Sequence, residues 1–463
     1  MIIDPDTRPR YDSPAEEDQP VHVTTSFKLE LKDLVRNSLP TLVTFLLQSS
    51  LLLVIPIYFA GKQGKDVLSA SSMAINLFYI SGPALVFGFC TAEDTLCSTA
   101  FGAKSYTKVG LYYQRSILIL HIMFIPIALL WMTSGPLLRV FSPELADMCI
   151  PILRLMVLAI PALIVFECSK RYLLAQNKFR APTLVLAGAI PFSLIFNMAF
   201  ERFYLGPALS LVLTYWAVSV LVVTYIYFDD RQCWNSDLRL SVLLQDWGQF
   251  SIGLSGIIMV CAESFSFRVI TLLSAKFGSV ELASQTVVTT VSIFLFQFPF
   301  SVGICSSVRL ANYIGARSHN CITVVRAATV ATAAIGLINF SIMFFFRGWL
   351  PHIFTDDEEV IEFTSKLLRG VALNEFGDAV NAIFSSLLRG QGRQNIGSVL
   401  NLTAYYVIAI PLELLLGFYF GLEVAGLWAG LLLGELFLSA VEIYLVWSTN
   451  WDKLMEKNKS IVT

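Results

Sequence analysis

The sequence predicts an all-α membrane protein whose twelve transmembrane helices form two pseudo-symmetric six-helix lobes. Three observations predict this fold: an apolar composition, twelve apolar runs long enough to cross a bilayer, and an internal repeat. Hydrophobic residues make up 56% of the 463 residues and charged residues 14%, whereas soluble proteins carry about a quarter charged residues. The mean hydropathy of +0.67 therefore indicates a chain that crosses the membrane many times.

The apolar runs divide evenly about one polar segment. A helix needs about 20 residues to cross the hydrocarbon, and six such runs precede the polar segment and six follow it. The runs lie at 38–60, 68–92, 111–134, 150–174, 182–200, 205–228, 250–275, 283–305, 323–347, 365–388, 396–420 and 426–447. The predicted domains are a disordered tail with an interfacial lead (1–37), an N-lobe (38–228), a cytoplasmic linker (229–248), a C-lobe (249–448) and a cytoplasmic tail (449–463).

Basic residues predict the orientation of the chain. In the lead Phe27–Arg36, three basic residues repeat every four positions, which predicts a helix lying along the cytoplasmic membrane surface. The termini and the even-numbered loops hold 22 of the 32 Lys and Arg residues, the odd-numbered loops with their flanks hold 9, and Arg268 lies within a span. Because basic residues concentrate on the cytoplasmic side, both termini are expected there.

Three short motifs recur at a nearly constant offset. FGAKS at Phe101 returns as IGARS at Ile314, VFSPE at Val140 returns as IFTDD at Ile353, and LAQNK at 174 returns as RGQGR at 389. The offsets are 213 to 215 residues, which is close to six helices. An even number of spans keeps both copies in the same orientation, so the repeat predicts two parallel lobes with the substrate path between them.

Composition also excludes several classes of site. The net charge of −2 provides no basic face for nucleic acid. The eight cysteines lie mostly inside or beside apolar runs, without CxxC or Cys/His spacing, so they are interpreted as buried thiols and no metal site is expected. The absence of a nucleophile–base constellation argues against an enzyme.

Glu263 is the first candidate functional residue because it lies in the middle of an apolar stretch, Ile252–Ala275. A carboxylate at the centre of a bilayer costs about 2.5 kcal/mol or more, so it normally faces a cavity or a partner. The alternative is a structural glutamate that is protonated or hydrogen-bonded inside a helix bundle.

Several longer motifs resemble the eukaryotic branch of the multidrug and toxic compound extrusion (MATE) transporters. The similar segments are AEDTLCSTAFGAKSY at 92, GLYYQRSILIL at 110, CAESFSF at 261, VELASQ at 280, SSVRLANYIGA at 306 and LLRGQGRQNIGSVLN at 387. The resemblance covers about residues 38–447. Within the family, the chain resembles the fungal or plant members. It implies a V-shaped central cleft and an antiporter that exports organic, cationic or amphipathic compounds in exchange for protons.

The resemblance also implies two proton-coupling residues. The acidic residue of the seventh helix corresponds to Glu263, and that of the tenth, eleven residues before an Arg-Gly pair, corresponds to Asp378. The chain departs from the family at Arg268, where many relatives have a further glutamate, and at Pro56, where bacterial members have an aspartate. These differences favour a proton site in the C-lobe.

Buried carboxylates suit antiport because low dielectric disfavours their charged form, and proton and cation occupancy then exclude each other. Residues that could line the path are Gln48, Gln285, Asn381, Tyr405 and Asn197, although hydrogen bonding or packing between helices explains each of them as well.

Three more are reserve candidates: Arg268, Glu435 and Glu375. Arg268 lies roughly 140° around the helix from Glu263 and is either a counter-ion or a side chain at the lobe surface. Glu375 is expected nearer the external end, where solvation alone would explain it.

The expected partners are small organic molecules, protons and the lipid bilayer, for a monomer in the plasma membrane or a vacuolar or other organellar membrane. The energy source is a proton gradient, without a cofactor.

One alternative is a flippase for lipids or lipid-linked oligosaccharides, which needs a basic cavity, whereas only Arg268 is clearly basic within a predicted span. A major-facilitator transporter would carry a basic GxxxDRxGRR-type loop where this chain has FGAKSYTK. A non-transporting receptor would need large soluble segments.

Overall fold

Twelve long helices follow the order of the predicted apolar runs. The computed structural model describes residues 25–141, 143–229, 233, 234, 243 and 248–458. Within these residues all regular structure is helical. The long helices are α1 (Phe27–Lys62), α2 (Lys65–Gly102), α3 (Tyr106–Met132), α4 (Leu145–Ala175), α5 (Ala181–Ala199), α6 (Gly206–Asp229), α7 (Gly248–Ser274), α8 (Ser279–Gly315), α9 (Cys321–Phe345), α10 (Glu358–Gly390), α11 (Gln394–Tyr419) and α12 (Glu423–Trp447).

Helix α10 differs from the others in composition. Eleven of the described helices are both long and apolar enough to cross a membrane. Helix α10 is long enough at 33 residues, but Asn374, Glu375, Asp378 and Asn381 lower its hydropathy in the middle of the span. The polar residues are buried in the protein, so the helix remains compatible with a membrane-spanning position.

The helix that begins at Phe27 differs from the predicted interfacial lead. Residues Phe27–Ser49 form one continuous helix, so the lead extends the first span instead of lying across it as a separate element. The reason is a buried contact: Glu30 is fully buried and forms an ion pair with Arg309 of α8, whose Nη2 lies 2.7 Å from Glu30 Oε2. The predicted disordered tail lies outside the described residues except for residue 25, and most of the predicted linker also lies outside them.

The two lobes repeat the same helix packing. In the N-lobe α2 packs against α4, and in the C-lobe their counterparts six helices later, α8 and α10, pack against each other. Helices α5 and α6 form a pair, as do α11 and α12. Exposed Leu, Ile, Val and Phe side chains cover the outer surfaces, which suits contact with lipid.

The repeated motifs mark helix ends with a left-handed residue. Lys104 and Arg317 are the fourth residues of the two copies of the first motif and have φ of 60° and 51°. Asn177 and Gly392 occupy equivalent places in the last motif, with φ of 62° and 70°. A left-handed residue commonly terminates an α-helix, so the repeated sequences encode the same helix ends in both lobes.

The two lobes meet most closely at the paired glycines of the first motif. A Cβ at Gly102 would lie 1.9 Å from the carbonyl oxygen of Asn312, and a Cβ at Gly315 would lie 2.0 Å from that of Thr99. Only glycine permits the backbones of α2 and α8 to approach this closely. The contact is reciprocal because each lobe supplies one glycine.

Further inter-lobe hydrogen bonds lie at the same end of the molecule. Thr95 Oγ1 donates to the carbonyl of Arg389 at 2.5 Å, and Gln394 Nε2 donates to the carbonyl of Thr91 at 2.8 Å. The lobes are therefore joined at the end that contains Gly102 and Gly315.

Substituting Gly102 tests the close approach. In Gly102→Ala the added methyl group clashes with the backbone carbonyl of Asn312. The substitution should lower the free energy of unfolding by about 1–3 kcal/mol, the usual cost of overpacking. The matched control is Gly370→Ala in α10, where nothing lies within 4 Å of the added Cβ. Thermal unfolding of detergent-purified protein should show a lower midpoint for Gly102→Ala only. Equal midpoints for the two variants would contradict the packing described.

Candidate functional site

A seam of polar side chains runs between α10 and α12 in the interior of the C-lobe. On each helix its members recur at spacings of three, four or seven residues, which places them on one face. We define this carboxylate seam as Asp378, Asn381 and Ser385 of α10 with Glu435, Ser439 and Glu442 of α12.

Paired contacts join the two sides of the seam. Ser439 Oγ donates to Asn381 Oδ1 at 2.7 Å, and Ser385 Oγ donates to Glu442 Oε1 at 2.6 Å. The third pair across the seam is Asp378 and Glu435, which lie within electrostatic range of each other. Gly377 leaves room for this pair, because a Cβ there would lie only 3.3 Å from Glu435 Oε2.

Glu263 faces the seam from α7. The half-buried Glu263 lines a cavity of about 20 Å³, which is large enough for a water molecule. Asp378 is buried within electrostatic range of Glu263. The other polar side chains that line the cavity are Asn381, Ser385, Arg389, Asn401 and Tyr405. Of the path-lining candidates predicted from sequence, Asn381 and Tyr405 are therefore brought to Glu263.

Negative groups outnumber the basic group that faces them. Five carboxyl groups are clustered here: Glu263, Glu375, Asp378, Glu435 and Glu442. Arg389 is the base within electrostatic range of Glu263 and Glu442 in the part of the chain that the structure describes. Like charges in a low-dielectric interior repel strongly, so most of these carboxyl groups require a proton or a cationic ligand.

Glu375 is buried, which corrects the expectation of a solvated side chain. It is 1% exposed, and its Oε2 accepts a hydrogen bond from Asn339 Nδ2 at 3.4 Å. Asn339 also donates to the carbonyl of Leu295 at 3.1 Å, which ties α8, α9 and α10 together at this level. Glu375 therefore extends the acidic cluster by one helical turn along α10 from Asp378.

The remaining candidates occupy separate places. Gln285 accepts a hydrogen bond from Trp428 Nε1 at 2.7 Å inside the C-lobe. The Asn197 amide donates to the carbonyl of Ser193, one turn earlier in its own helix. Arg268 is half-buried on α7, with Tyr79 of the N-lobe as its electrostatic neighbour.

The N-lobe contains a buried Lys–Glu ion pair, hydrogen-bonded to a glutamine, that the sequence interpretation missed. Lys170 Nζ lies 2.7 Å from Glu167 Oε2 and donates to Gln48 Oε1 at 2.9 Å. Gln48 Nε2 in turn donates to Glu167 Oε1 at 2.7 Å. Lys170 Nζ also lies 5.0 Å from the ring centroid of Phe45, whose ring packs at a tilt of 57° against Phe300 at the C-lobe cavity. Gln48, predicted as a lining residue, is therefore part of a closed polar cluster.

The prediction that only Arg268 is clearly basic within a span is wrong. Lys170, Arg171 and Arg389 are 1%, 3% and 7% exposed inside α4 and α10. Two of them have acidic partners: Lys170 pairs with Glu167, and Arg171 donates to both oxygens of Asp94 at 3.1 and 3.0 Å. Their positions near helix ends made them look like cytoplasmic flanks in the sequence.

Regular spacing could have indicated some of the missed residues. Glu442 lies seven residues after Glu435, and Lys170 three after Glu167, so each pair shares a helix face. Nothing in the sequence indicated that Gln48 of α1 meets the second pair, because that contact joins residues 122 positions apart.

Comparison with known families supports the observed architecture. The MatE family model matches residues 40–199 and again residues 256–415. Because one model matches the chain twice, the internal repeat is confirmed.

Individual relatives are similar over most of the chain. A protein described as an uncharacterized transporter of Saccharomyces cerevisiae is 36% identical over 94% of this chain, and the match spans 64% of that relative. Protein DETOXIFICATION 17 of Arabidopsis thaliana is 30% identical, covering 93% of this chain and 92% of that protein. The crystal structure of the eukaryotic MATE transporter AtDTX14 superimposes with a TM-score of 0.85 at 27% identity, covering 94% of this chain and 100% of that chain.

Breaking the buried Lys170–Glu167 pair should destabilise the N-lobe. Lys170→Met leaves a fully buried carboxylate without its cation, which is expected to cost about 3–5 kcal/mol. Adding Glu167→Gln should recover part of the loss, because the uncompensated charge is removed. Thermal unfolding in detergent measures both effects.

The matched control breaks an exposed pair of similar composition. Lys366 and Glu362 are 73% and 72% exposed, so Lys366→Met should leave the unfolding midpoint unchanged. A Lys170→Met midpoint equal to that of Lys366→Met would show that the buried pair carries no stability.

Proposed function

Because this chain belongs to the MatE family, we propose that it is a secondary antiporter that exports organic cationic or amphipathic compounds in exchange for protons. The single observation that carries the proposal is the excess of buried carboxyl groups over bases around the carboxylate seam. Such a cluster is stable when protonated or when it binds a cation, and the two states exclude each other.

Glu263 and Asp378 are the proposed proton-coupling residues. Glu263 lines the cavity, and Asp378 lies behind it in the seam next to Glu435. When both are deprotonated, their negative charge attracts a cationic substrate. When protons neutralise them, that attraction is lost and the substrate leaves. Coupling requires only that protons and substrate favour different conformations of the lobes.

Tyr405 and Asn381 are proposed to contact the substrate beside these carboxyl groups. Tyr405 lies in a π-helical segment, Thr403–Ala409, and lines the same cavity as Glu263. π-Helical segments are frequent at functional sites because they redirect side chains. An aromatic ring beside a carboxylate suits an organic cation, which gains both cation–π and charge interactions.

The paired state of the N-lobe bases favours cation export over the flippase alternative. A flippase for phosphate-bearing lipids needs cationic side chains that are free to bind phosphate. Lys170 and Arg171 are instead occupied by Glu167 and Asp94.

The distribution of basic residues supports an outward-facing conformation of an integral membrane protein with cytoplasmic termini. The loops that follow α2 and α8 are among the even-numbered loops assigned to the cytoplasm. The lobes are closed at this end, through Gly102, Gly315 and the Glu30–Arg309 ion pair. Alternating access then requires these contacts to separate when the cleft opens toward the cytoplasm.

Transport in proteoliposomes tests the coupling residues. Vesicles with an acidic interior and a neutral exterior should take up a fluorescent organic cation such as ethidium, because outward proton flow drives the exchange. Glu263→Gln and Asp378→Asn should each lower gradient-driven uptake by about tenfold or more, a change typical of a lost coupling interaction. Glu362→Gln, at an exposed acid on the same helix as Asp378, should transport at the parental rate.

Two results would contradict the proposal. Parental rates in both Glu263→Gln and Asp378→Asn would remove the C-lobe carboxyl groups from the mechanism. Absence of gradient-driven uptake for a panel of organic cations would argue against cation antiport itself.

Labelling with a membrane-impermeant maleimide tests the orientation. Asp356→Cys, in the exposed segment before α10, should react on the external or lumenal side, and His319→Cys, between α8 and α9, on the cytoplasmic side. In a plasma membrane only Asp356→Cys is labelled in intact cells. In an organelle only His319→Cys is labelled after selective permeabilisation of the plasma membrane. The parent chain is the control, since seven of its cysteines are buried and Cys261 is half-buried. The reverse pattern would contradict cytoplasmic termini.

A further inference from the structure

Three donor side chains converge in the core of the N-lobe, separate from the carboxylate seam. Cys90 and Glu93 lie one turn apart on α2, and Cys168 faces them from α4. One ligand atom from each of the three lies within 4.8 Å of the others, and all three residues are fully buried. Sequence spacing suggested no metal site because the third ligand comes from a helix 75 residues further along the chain.

The separation of the two sulfur atoms suits a shared metal ion. Cys90 Sγ and Cys168 Sγ lie 3.8 Å apart. A tetrahedral zinc ion bonds sulfur at about 2.3 Å, which places two thiolate ligands about 3.8 Å apart. A disulfide would require about 2.05 Å. The thiols are therefore positioned for a metal ion between them without further movement.

Glu93 provides an independent reason for a ligand. Both of its carboxylate oxygens are buried, and the neighbours that interact with them by hydrogen bonding are the Cys168 thiol and the Ser116 hydroxyl, both uncharged groups. A buried carboxylate that has only uncharged neighbours lacks a compensating positive charge, and burying such a charge costs more than the about 2–7 kcal/mol of an unbonded neutral polar group. A cation bound by both oxygens removes this cost.

We propose that Cys90, Cys168 and Glu93 bind a structural divalent metal ion with the ligand preference of Zn²⁺. Two thiolates and one carboxylate are ligand types that zinc binds in proteins, and together they supply three ligand residues. The three ligands and the ion carry a net charge of −1. Arg171 lies within electrostatic range of Cys90 and Glu93 and compensates part of this charge.

The ion would join α2 to α4, two helices that also carry the lobe contact and the buried ion pair of the N-lobe. Helix α2 carries Gly102 of the lobe contact, and α4 carries the Glu167–Lys170 pair next to Cys168. Because the site is closed to solvent, the metal enters during folding and does not exchange afterward. Its role is to stiffen the N-lobe while the lobes move against each other.

Metal analysis of the full-length purified protein tests the proposal. Protein expressed with added zinc, purified in detergent and dialysed should retain about one metal ion per chain by mass spectrometry. Cys90→Ser, Cys168→Ser and Glu93→Gln should each reduce this content about tenfold, because each removes one of the three ligand residues. Glu93→Gln preserves the shape of the side chain and both thiols, so it remains informative if a cysteine variant does not fold.

Cys97→Ser is the matched control. Cys97 is also fully buried on α2, but its thiol contacts the carbonyl of Val109 at 3.7 Å instead of the cluster. This variant should retain the parental metal content. The proposal is overturned if the parent chain holds less than about a tenth of an ion per chain, if Cys97→Ser loses as much metal as Cys90→Ser, or if peptide mapping finds a Cys90–Cys168 disulfide.

Discussion

Five carboxyl groups cluster around the carboxylate seam of the C-lobe, four of them buried and Glu263 half-buried, and Arg389 is the base that faces them among the described residues. The pairing of α10 with α12 depends on the seam. Asn381 and Ser385 bond directly to Ser439 and Glu442 across the seam, and Gly377 leaves space for Glu435 beside Asp378. Because burial of uncompensated charge is costly, the occupancy of this seam by protons or by a cation is coupled to how tightly the lobe can pack.

The N-lobe compensates its buried charges differently from the C-lobe. Its buried bases are paired within the protein, Lys170 with Glu167 and Gln48, and Arg171 with Asp94, while Glu93 belongs to the proposed metal site. A paired cluster has little need of an external proton or cation, whereas the acidic C-lobe does. The two lobes thus share helix packing and helix ends but differ in the chemistry of their interiors. This asymmetry is why the proposed coupling site lies in one lobe only.

The sequence predicted the fold and the centre of the site to different degrees. Twelve spans, two lobes and their repeat follow from hydropathy and motif spacing, because apolar length and helix-ending residues are local properties. Glu263 and Asp378 followed from the family resemblance and from the cost of a carboxylate in hydrocarbon. Lys170 and Arg171 were misread as cytoplasmic flanks, since a charged residue near a helix end looks the same whether it faces water or a buried partner. Glu375 was misplaced in solvent for the same reason.

The sequence alone determined the number and the order of the long helices, since each run of apolar residues must cross the bilayer, and its repeated motifs marked equivalent helix ends, such as those at Lys104 and Gly392. Tertiary structure decided which side chains meet. Gln48 joins Glu167 and Lys170 from a helix more than one hundred residues away, Glu435 reaches Asp378 across Gly377, and Cys168 reaches Cys90. Such contacts depend on how helices pack in three dimensions, and residue spacing along one helix carries no information about the helix that it will face.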